Sequence, residues 1–165
     1  MVHRAPRFTN SVLATQYSPF VFTKNSFAII LYILLACYLG ATIYALTIDI
    51  SIYDWVDIPL HFMGGFVAAF FFCTYFKNTL IGIMREKNFW SGLFVFISII
   101  GFAAIIGIGW ELYEWFYDIF VAIPQASLRT QGSLNDTMGD LILDLSGGVS
   151  VALLFFYNLR SKRRK

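Results

Sequence analysis

The longest apolar run in this sequence, residues 27–48, has the length of a membrane span. It reads FAIILYILLACYLGATIYALTI and contains no charged residue. About 20 apolar residues at about 1.5 Å each cross a hydrocarbon core of about 30 Å. Three similar stretches follow at about 58–76, 89–110 and 141–157. The sequence therefore predicts an all-α, polytopic membrane protein with four transmembrane helices.

The composition supports a lipid environment for most of the chain. Hydrophobic residues make up 58% of it and charged residues only 13%, whereas soluble domains have about 45–50% apolar and about 25% charged residues. A water-soluble protein with this composition could not cover its surface with polar groups. We expect the lipid bilayer to be its main partner. We expect no nucleic-acid partner, because the short basic end RSKRRK suits anionic lipid headgroups.

The basic residues predict the orientation of the spans. Eleven of the twelve fall in three places that share one side of the membrane if there are four spans. By the positive-inside rule that side is the cytoplasm, so both termini are predicted to be cytoplasmic, in the cell (inner) membrane. The eleven are Arg4, Arg7, Lys24, Lys77, Arg85, Lys87, Arg160, Lys162, Arg163, Arg164 and Lys165.

The predicted organisation has three parts. Residues 1–26 form a cytoplasmic or interfacial N-terminal segment, residues 27–158 the four-helix transmembrane domain, and residues 159–165 a basic cytoplasmic tail. The longest connection, from about Pro124 to Asp136, is predicted to be an extracytoplasmic loop because it contains turn formers and no hydrophobic period.

Nine of the ten acidic residues lie at the ends of the spans opposite to the basic ones. Counting inward from the predicted boundaries places Glu111 and Asp140 at the outer edge of the membrane, with His61 and Asp144 about one turn deeper. Three spans therefore deliver ionisable groups to one level. The candidate polar site comprises Asp57, His61, Glu111, Glu114, Asp136, Asp140 and Asp144.

Spacing by three and four residues predicts that these groups face one another. Small residues at such spacing mark the faces on which membrane helices pack closely. In each of the three spans a stripe of this kind runs into the acidic residues. The stripes are Asp57, His61, Gly64/Gly65 and Ala68; Ala103, Gly107, Glu111, Glu114 and Asp118; and Asp140, Asp144, Gly147/Gly148 and Ala152.

Two interpretations of this polar site stay open. Ionisable residues inside a membrane are costly and usually functional, and closely spaced carboxylates bind a cation or hold protons. A histidine with several carboxylates suits a divalent metal such as Mg, Mn or Zn, which activates water or polarises a phosphate. The alternative is a hydrogen-bonded polar knot that fixes helix register, with His61 and Arg129 as partners.

A segment of the third connection resembles a family signature. Residues 130–141, TQGSLNDTMGDL, resemble the TQGDxWDTxxDM segment of the YjdF-like family of uncharacterised bacterial inner-membrane proteins. His61-Phe62 and Trp110-Glu111 are similar to that family's HF and EW regions. A more distant likeness is to VanZ-like membrane proteins. Ser133, Asn135 and Leu141 depart from the signature, and the resemblance retains Asp136 and Asp140.

Three functions are compatible with these features. The first is a small enzyme or binding protein that acts on a lipid-borne or amphiphilic substrate at the outer leaflet. The second is a transporter or ion-pathway protein, a homo-oligomer with helix breaks at Gly107-x-Gly109 and Gly147-Gly148. The third is a structural or accessory subunit. The residues alone identify neither a catalytic set nor a substrate.

Overall fold

The described part of the protein is entirely helical. The computed structural model describes residues 52–120, 130 and 132–162, together with separate helical positions at 29, 33, 36 and 40. Within these residues it contains four α-helices and one 3-10 turn, so the all-α prediction is confirmed for this part. The elements are α1 (Ile52–Tyr75), α2 (Lys77–Ile83), the 3-10 turn Met84–Glu86, α3 (Phe89–Phe120) and α4 (Leu134–Lys162).

Three of the four helices, α1, α3 and α4, are long and apolar enough to cross a membrane. They cover the predicted spans 58–76, 89–110 and 141–157, apart from residue 76. The predicted span 27–48 lies outside the described residues, apart from the four separate helical positions. The described chain is therefore that of a multi-pass helical membrane protein with three candidate spans.

Each long helix extends beyond the stretch that the apolar residues predicted. Helix α3 has 32 residues and ends at Phe120, which makes it about 48 Å long, against a hydrocarbon core of about 30 Å. Apolar residues are needed only where lipid surrounds the helix, whereas backbone hydrogen bonds continue into the interface. Glu114 and Asp118, which the sequence stripe places beyond the predicted span 89–110, lie in this same helix.

The loop predicted from Pro124 to Asp136 is wrong at its end, because α4 already begins at Leu134. Ser133 is the N-cap of this helix: its hydroxyl oxygen accepts a hydrogen bond from the Asp136 backbone N–H at 3.3 Å. The Asp136 carboxylate in turn accepts one from the Gly132 N–H at 3.1 Å. This arrangement resembles a capping box, except that the Asp136 carboxylate accepts from the N–H of the residue before the N-cap Ser133.

The connection between α1 and α3 is also more structured than a plain loop. It contains α2 and the 3-10 turn, and Leu80 of α2 is buried with the core. Lys87 then takes a left-handed conformation with φ 54°. Asn88 is the N-cap of α3, because its side-chain oxygen accepts a hydrogen bond from the Ser91 backbone N–H at 2.6 Å.

The three long helices pack on one another, and α1 makes its most extensive contacts with α4. One apolar cluster fills the space between them; it consists of Ala69, Phe70, Cys73, Leu80, Val95, Ile99, Ala103, Val151, Ala152, Phe155 and Leu159. The opposite faces carry exposed apolar side chains such as Phe94, Ile105 and Leu153. Apolar side chains both inside and outside are what a lipid-embedded bundle requires.

Candidate functional site

Helices α1 and α4 cross in backbone contact next to the polar residues. A Cβ atom on Gly65 would overlap the backbone carbonyl of Asp144, and one on Gly147 would overlap the carbonyl of Phe62. Only glycine at these two positions allows this approach. The crossing places His61 of α1 beside Asp144 of α4.

Helix α3 meets the crossing along one buried stripe. The buried residues of this helix are Ser91, Val95, Ile99, Ala103, Gly107, Glu111 and Glu114. Gly107 is opposite Asp144, and a Cβ atom there would overlap the Asp144 carboxylate. Four of the five residues in the predicted stripe, Ala103 to Glu114, are therefore on the face that packs on α1 and α4, whereas Asp118, its last member, is partly exposed.

His61 is the centre of the polar residues. Its Nδ1 atom lies 3.2 Å from Asp144 Oδ2. Its Nε2 atom lies 3.5 Å from Asp57 Oδ1 and 3.9 Å from Glu111 Oε1. Carboxylates from all three long helices therefore converge on one imidazole ring.

Asp140 completes the group. It lies one turn before Asp144 on α4, and one ligand atom each from Asp57, His61 and Asp140 lie within 4.8 Å of one another. We call Asp57, His61, Glu111, Asp140 and Asp144 the His61 cluster. Four of its five members are at least nine-tenths buried, and Asp57 is partly exposed.

Glu114 lies next to this cluster on α3, three residues beyond Glu111. It is buried, and its carboxylate accepts a hydrogen bond from the Trp110 indole N–H at 3.0 Å. Such a bond stabilises a buried carboxylate where it lies. This contact of Trp110 was not predicted from the sequence; its spacing of four residues from Glu114 is the signal that could have indicated it.

Asp136 differs from the other six predicted site residues. It is exposed, and its carboxylate caps α4 through Gly132. Asp118, which the sequence placed on the same α3 face, accepts hydrogen bonds from the Thr130 N–H at 2.9 Å and the Thr130 hydroxyl at 3.1 Å. Asp118 thus joins the end of α3 to the chain just before α4, while the contacts of Asp136 lie within the start of α4.

The glycine pair at 64 and 65 also divides in role. Gly65 is buried at the helix crossing, while Gly64 is exposed, and a Cβ atom there would lie 3.5 Å from Asp144 Oδ1. Gly148, by contrast, packs on α3, where its Cβ would lie 2.9 Å from the Cβ of Ala103. Arg129, named above as a partner in a polar knot, lies outside the described residues.

Charge is distributed unevenly along the three helices. The described basic residues other than His61 lie at or near the far ends of the helices, namely Lys77, Arg85, Lys87, Arg160 and Lys162. Close carboxylates around a single imidazole favour binding of a cation. Nitrogen and oxygen donors together suit borderline divalent ions.

The fold and the buried polar residues define a class, that of a multi-pass helical membrane protein with ionisable residues inside its helix bundle. Comparison with known protein families assigns the chain to one family within this class. Residues 8–161 match the family described as "Predicted membrane protein (DUF2238)", and the protein belongs to that family. The membership is compatible with the resemblance to YjdF-like membrane proteins.

A relative from Thermotoga maritima, described as an uncharacterized protein, is 31% identical over 109 residues. The matched region covers 64% of this chain and 50% of the relative, so the chain spans about half the length of that relative. No solved structure matches the chain significantly.

Proposed function

We propose that the protein binds one divalent cation in the His61 cluster, with Asp57, His61 and Asp140 as ligands. The observation that supports this proposal is the mutual approach of their ligand atoms within 4.8 Å. The 3.5 Å from His61 Nε2 to Asp57 Oδ1 is longer than an ordinary hydrogen bond. It is close to the separation of about 3.4 Å between two atoms bound tetrahedrally to one zinc ion at about 2.1 Å.

The donor set limits the ion. One imidazole nitrogen with carboxylate oxygens suits Zn²⁺ or Mn²⁺ better than Ca²⁺, which prefers oxygen donors alone. Glu111 lies nearby on α3, with Oε1 3.9 Å from His61 Nε2, and is outside the group of three ligands. A bound cation would offset the repulsion among carboxylates that are held together in a poorly hydrated place.

A metal-binding assay tests this proposal. The protein, purified in detergent, is equilibrated with Mn²⁺ or Zn²⁺, and bound metal is measured by mass spectrometry and calorimetry. We expect one ion per chain. Asp140→Asn should abolish stoichiometric binding, because a neutral amide is a poor ligand. The matched control is Asp136→Asn on the same helix, whose side-chain oxygen still accepts the Gly132 N–H. A wild-type protein that retains no ion would overturn the proposal.

We propose further that the chain crosses the membrane four times, with both termini in the cytoplasm and the His61 cluster at the extracytoplasmic end. The distribution of Lys and Arg in the sequence supports this orientation. Reporter fusions after residue 165 and within the segment 121–129 test it. Cytoplasmic activity at the first position and extracytoplasmic activity at the second are expected; the same side for both would contradict it.

The proposed ion would act on a lipid-borne or amphiphilic substrate at the outer leaflet. Two observations support this. Three protein ligands leave coordination positions for water or substrate, and the cluster lies near the ends of α1 and α4. A deletion strain is expected to accumulate an altered lipid, and a strain carrying Asp140→Asn should show the same change. An unchanged lipid profile in both strains would contradict this role.

A transport pathway receives less support. Toward the other end of the bundle, the interior between the described helices is apolar. On α3 the buried residues there are Val95, Ile99 and Ala103, which precede Gly107 in the chain. A continuous row of polar groups is therefore not present across these three helices. Cation flux into liposomes that carry the purified protein, lost with Asp140→Asn, would favour transport instead.

A further inference from the structure

The two ring nitrogens of His61 have different surroundings. Nδ1 is 3.2 Å from Asp144 Oδ2, within hydrogen-bond distance. Nε2 faces Asp57 and Glu111 at 3.5 Å and 3.9 Å, beyond that distance. One nitrogen thus has a hydrogen-bond partner on α4, while the other faces Glu111 and Asp57, of which Asp57 is a proposed metal ligand.

We infer that Asp144 is a positioning residue, which accepts a hydrogen bond from the Nδ1–H of His61 and so presents Nε2 to the ion. An ionised carboxylate only accepts hydrogen bonds, so the proton of this bond belongs to Nδ1. A neutral imidazole with its proton on Nδ1 has its free lone pair on Nε2. The role of Asp144 toward the metal rests on the proposed function, whereas its hydrogen bond to His61 does not.

The packing gives Asp144 a fixed place. Its carboxylate lies against Gly107 of α3, where a Cβ atom would overlap it, and its backbone lies against Gly65 of α1. Its side chain is only 5% exposed. A methyl group added at Gly107 would therefore occupy the space of the carboxylate.

This role differs from that of the other acids. Asp57 and Asp140 belong to the group whose ligand atoms lie together with His61, and Asp144 does not. A histidine that binds a metal usually donates its second ring N–H to a carboxylate or carbonyl group. Loss of such a partner lowers metal affinity about 10- to 100-fold. Asp144 has the geometry of that partner.

Nitrogen NMR tests the hydrogen bond without any metal. The chain has two histidines, His3 and His61, so a His3→Gln protein labelled with ¹⁵N-histidine reports on His61 alone. We expect Nδ1 to carry a slowly exchanging proton in the metal-free protein, and Zn²⁺ to shift the Nε2 resonance while Nδ1 stays protonated. A Nδ1 atom without a proton, or one that Zn²⁺ shifts as a ligand, would overturn the inference.

Two variants test the consequence for binding. Asp144→Asn removes the charge, and Gly107→Ala moves the carboxylate while keeping it; both should speed exchange of the Nδ1 proton and weaken Zn²⁺ binding about 10- to 100-fold. Gly109→Ala, on the same helix with no atom within 4 Å of its new Cβ, is the control and should leave both unchanged. Unaltered exchange in Asp144→Asn would contradict the inference.

The outcomes separate the two proposals. Failure of the wild-type protein to bind Zn²⁺ or Mn²⁺ removes the proposed function, while a protonated Nδ1 that depends on Asp144 still establishes the positioning contact. Normal metal binding combined with a proton on Nε2 and none on Nδ1 in the metal-free protein removes the positioning role of Asp144 and leaves the metal site in place.

Discussion

The two halves of the three-helix bundle are built from the same helices but from different side chains. The half around Phe155 contains the apolar cluster, with Val95, Val151 and Phe155 fully buried. The half around His61 contains buried acids on α3 and α4. Glycines bring the backbones together in the second half, whereas larger side chains fill the first.

The difference shows which half holds the helices together. Van der Waals packing associates helices in lipid, and the apolar half supplies it through a continuous set of buried side chains. The buried acids of the polar half cost free energy unless something offsets their charge. We therefore expect changes in the apolar half to affect stability, and changes at His61 to affect ion binding.

The largest effect on stability is expected at the glycine crossing of α1 and α4 in the polar half. Gly147→Val places side-chain atoms where the carbonyl of Phe62 lies, which forces α1 and α4 apart. Overpacking of this kind costs about 3 kcal/mol or more when backbone must move. Thermal unfolding in detergent, followed by size-exclusion chromatography, measures the loss.

The control for this change is Gly139→Ala on the same helix, where nothing lies within 4 Å of the added Cβ. It should unfold at the wild-type temperature. A Gly147→Val protein that is as stable as Gly139→Ala would show that the close crossing does not determine the fold.

A somewhat smaller effect is expected in the apolar half. Phe155→Ala removes a fully buried ring from the cluster and should destabilise the protein by about 3 kcal/mol. Metal binding by the remaining folded protein should be unchanged. Leu154→Ala, at a neighbouring exposed position, is the control; equal losses in the two variants would show that the cluster has no special weight.

Removing one hydrogen bond at the polar end should cost less. Thr130→Val deletes the hydroxyl that donates to Asp118 at 3.1 Å while retaining the backbone N–H bond. A loss of about 1 kcal/mol is expected. Ser146→Ala, whose exposed hydroxyl bonds only within its own helix turn in the described structure, serves for comparison. A loss of stability in Ser146→Ala that equals or exceeds the loss in Thr130→Val would refute a special role for the Thr130 contact.

The smallest change in stability is expected at the centre of the His61 cluster. His61→Asn retains a donor near the Nδ1 position for Asp144 but has no group at the Nε2 position. The unfolding free energy should fall by less than about 1 kcal/mol, while stoichiometric metal binding is lost. His61→Gln, which reaches the Nε2 position instead, should lose the Asp144 contact. A sharp fall in abundance of both proteins would favour the polar-knot interpretation.

Much of the fold could be predicted because lipid imposes a simple length rule. Apolar runs located α1, α3 and α4, and spacing by three and four residues identified the buried stripe from Ala103 to Glu114. The helix ends could not be predicted in this way, because hydropathy changes at the membrane surface and hydrogen bonding does not. The burial of Leu80 in a basic connection was missed because a helix of 7 residues is too short to give a clear periodic signal.

The site was harder to predict, since a carboxylate at a helix start serves either capping or binding. Asp136 and Asp140 are four residues apart and look alike in sequence, yet one caps α4 and the other lies in the His61 cluster. The distinction depends on Ser133 lying three residues before Asp136. The position of the Asp144 carboxylate depends on Gly107 of another helix, a contact that only the packed structure reveals.

The contact between Asp118 and Thr130 has a consequence for how the family can diverge. It joins residues on the two sides of positions 121–129 in the chain. Lengthening a flexible stretch between two joined points costs only about 0.6 kcal/mol for each doubling of its length. Insertions in this segment can therefore alter what the protein presents on that side of the membrane, while α4 and its two buried aspartates keep their register.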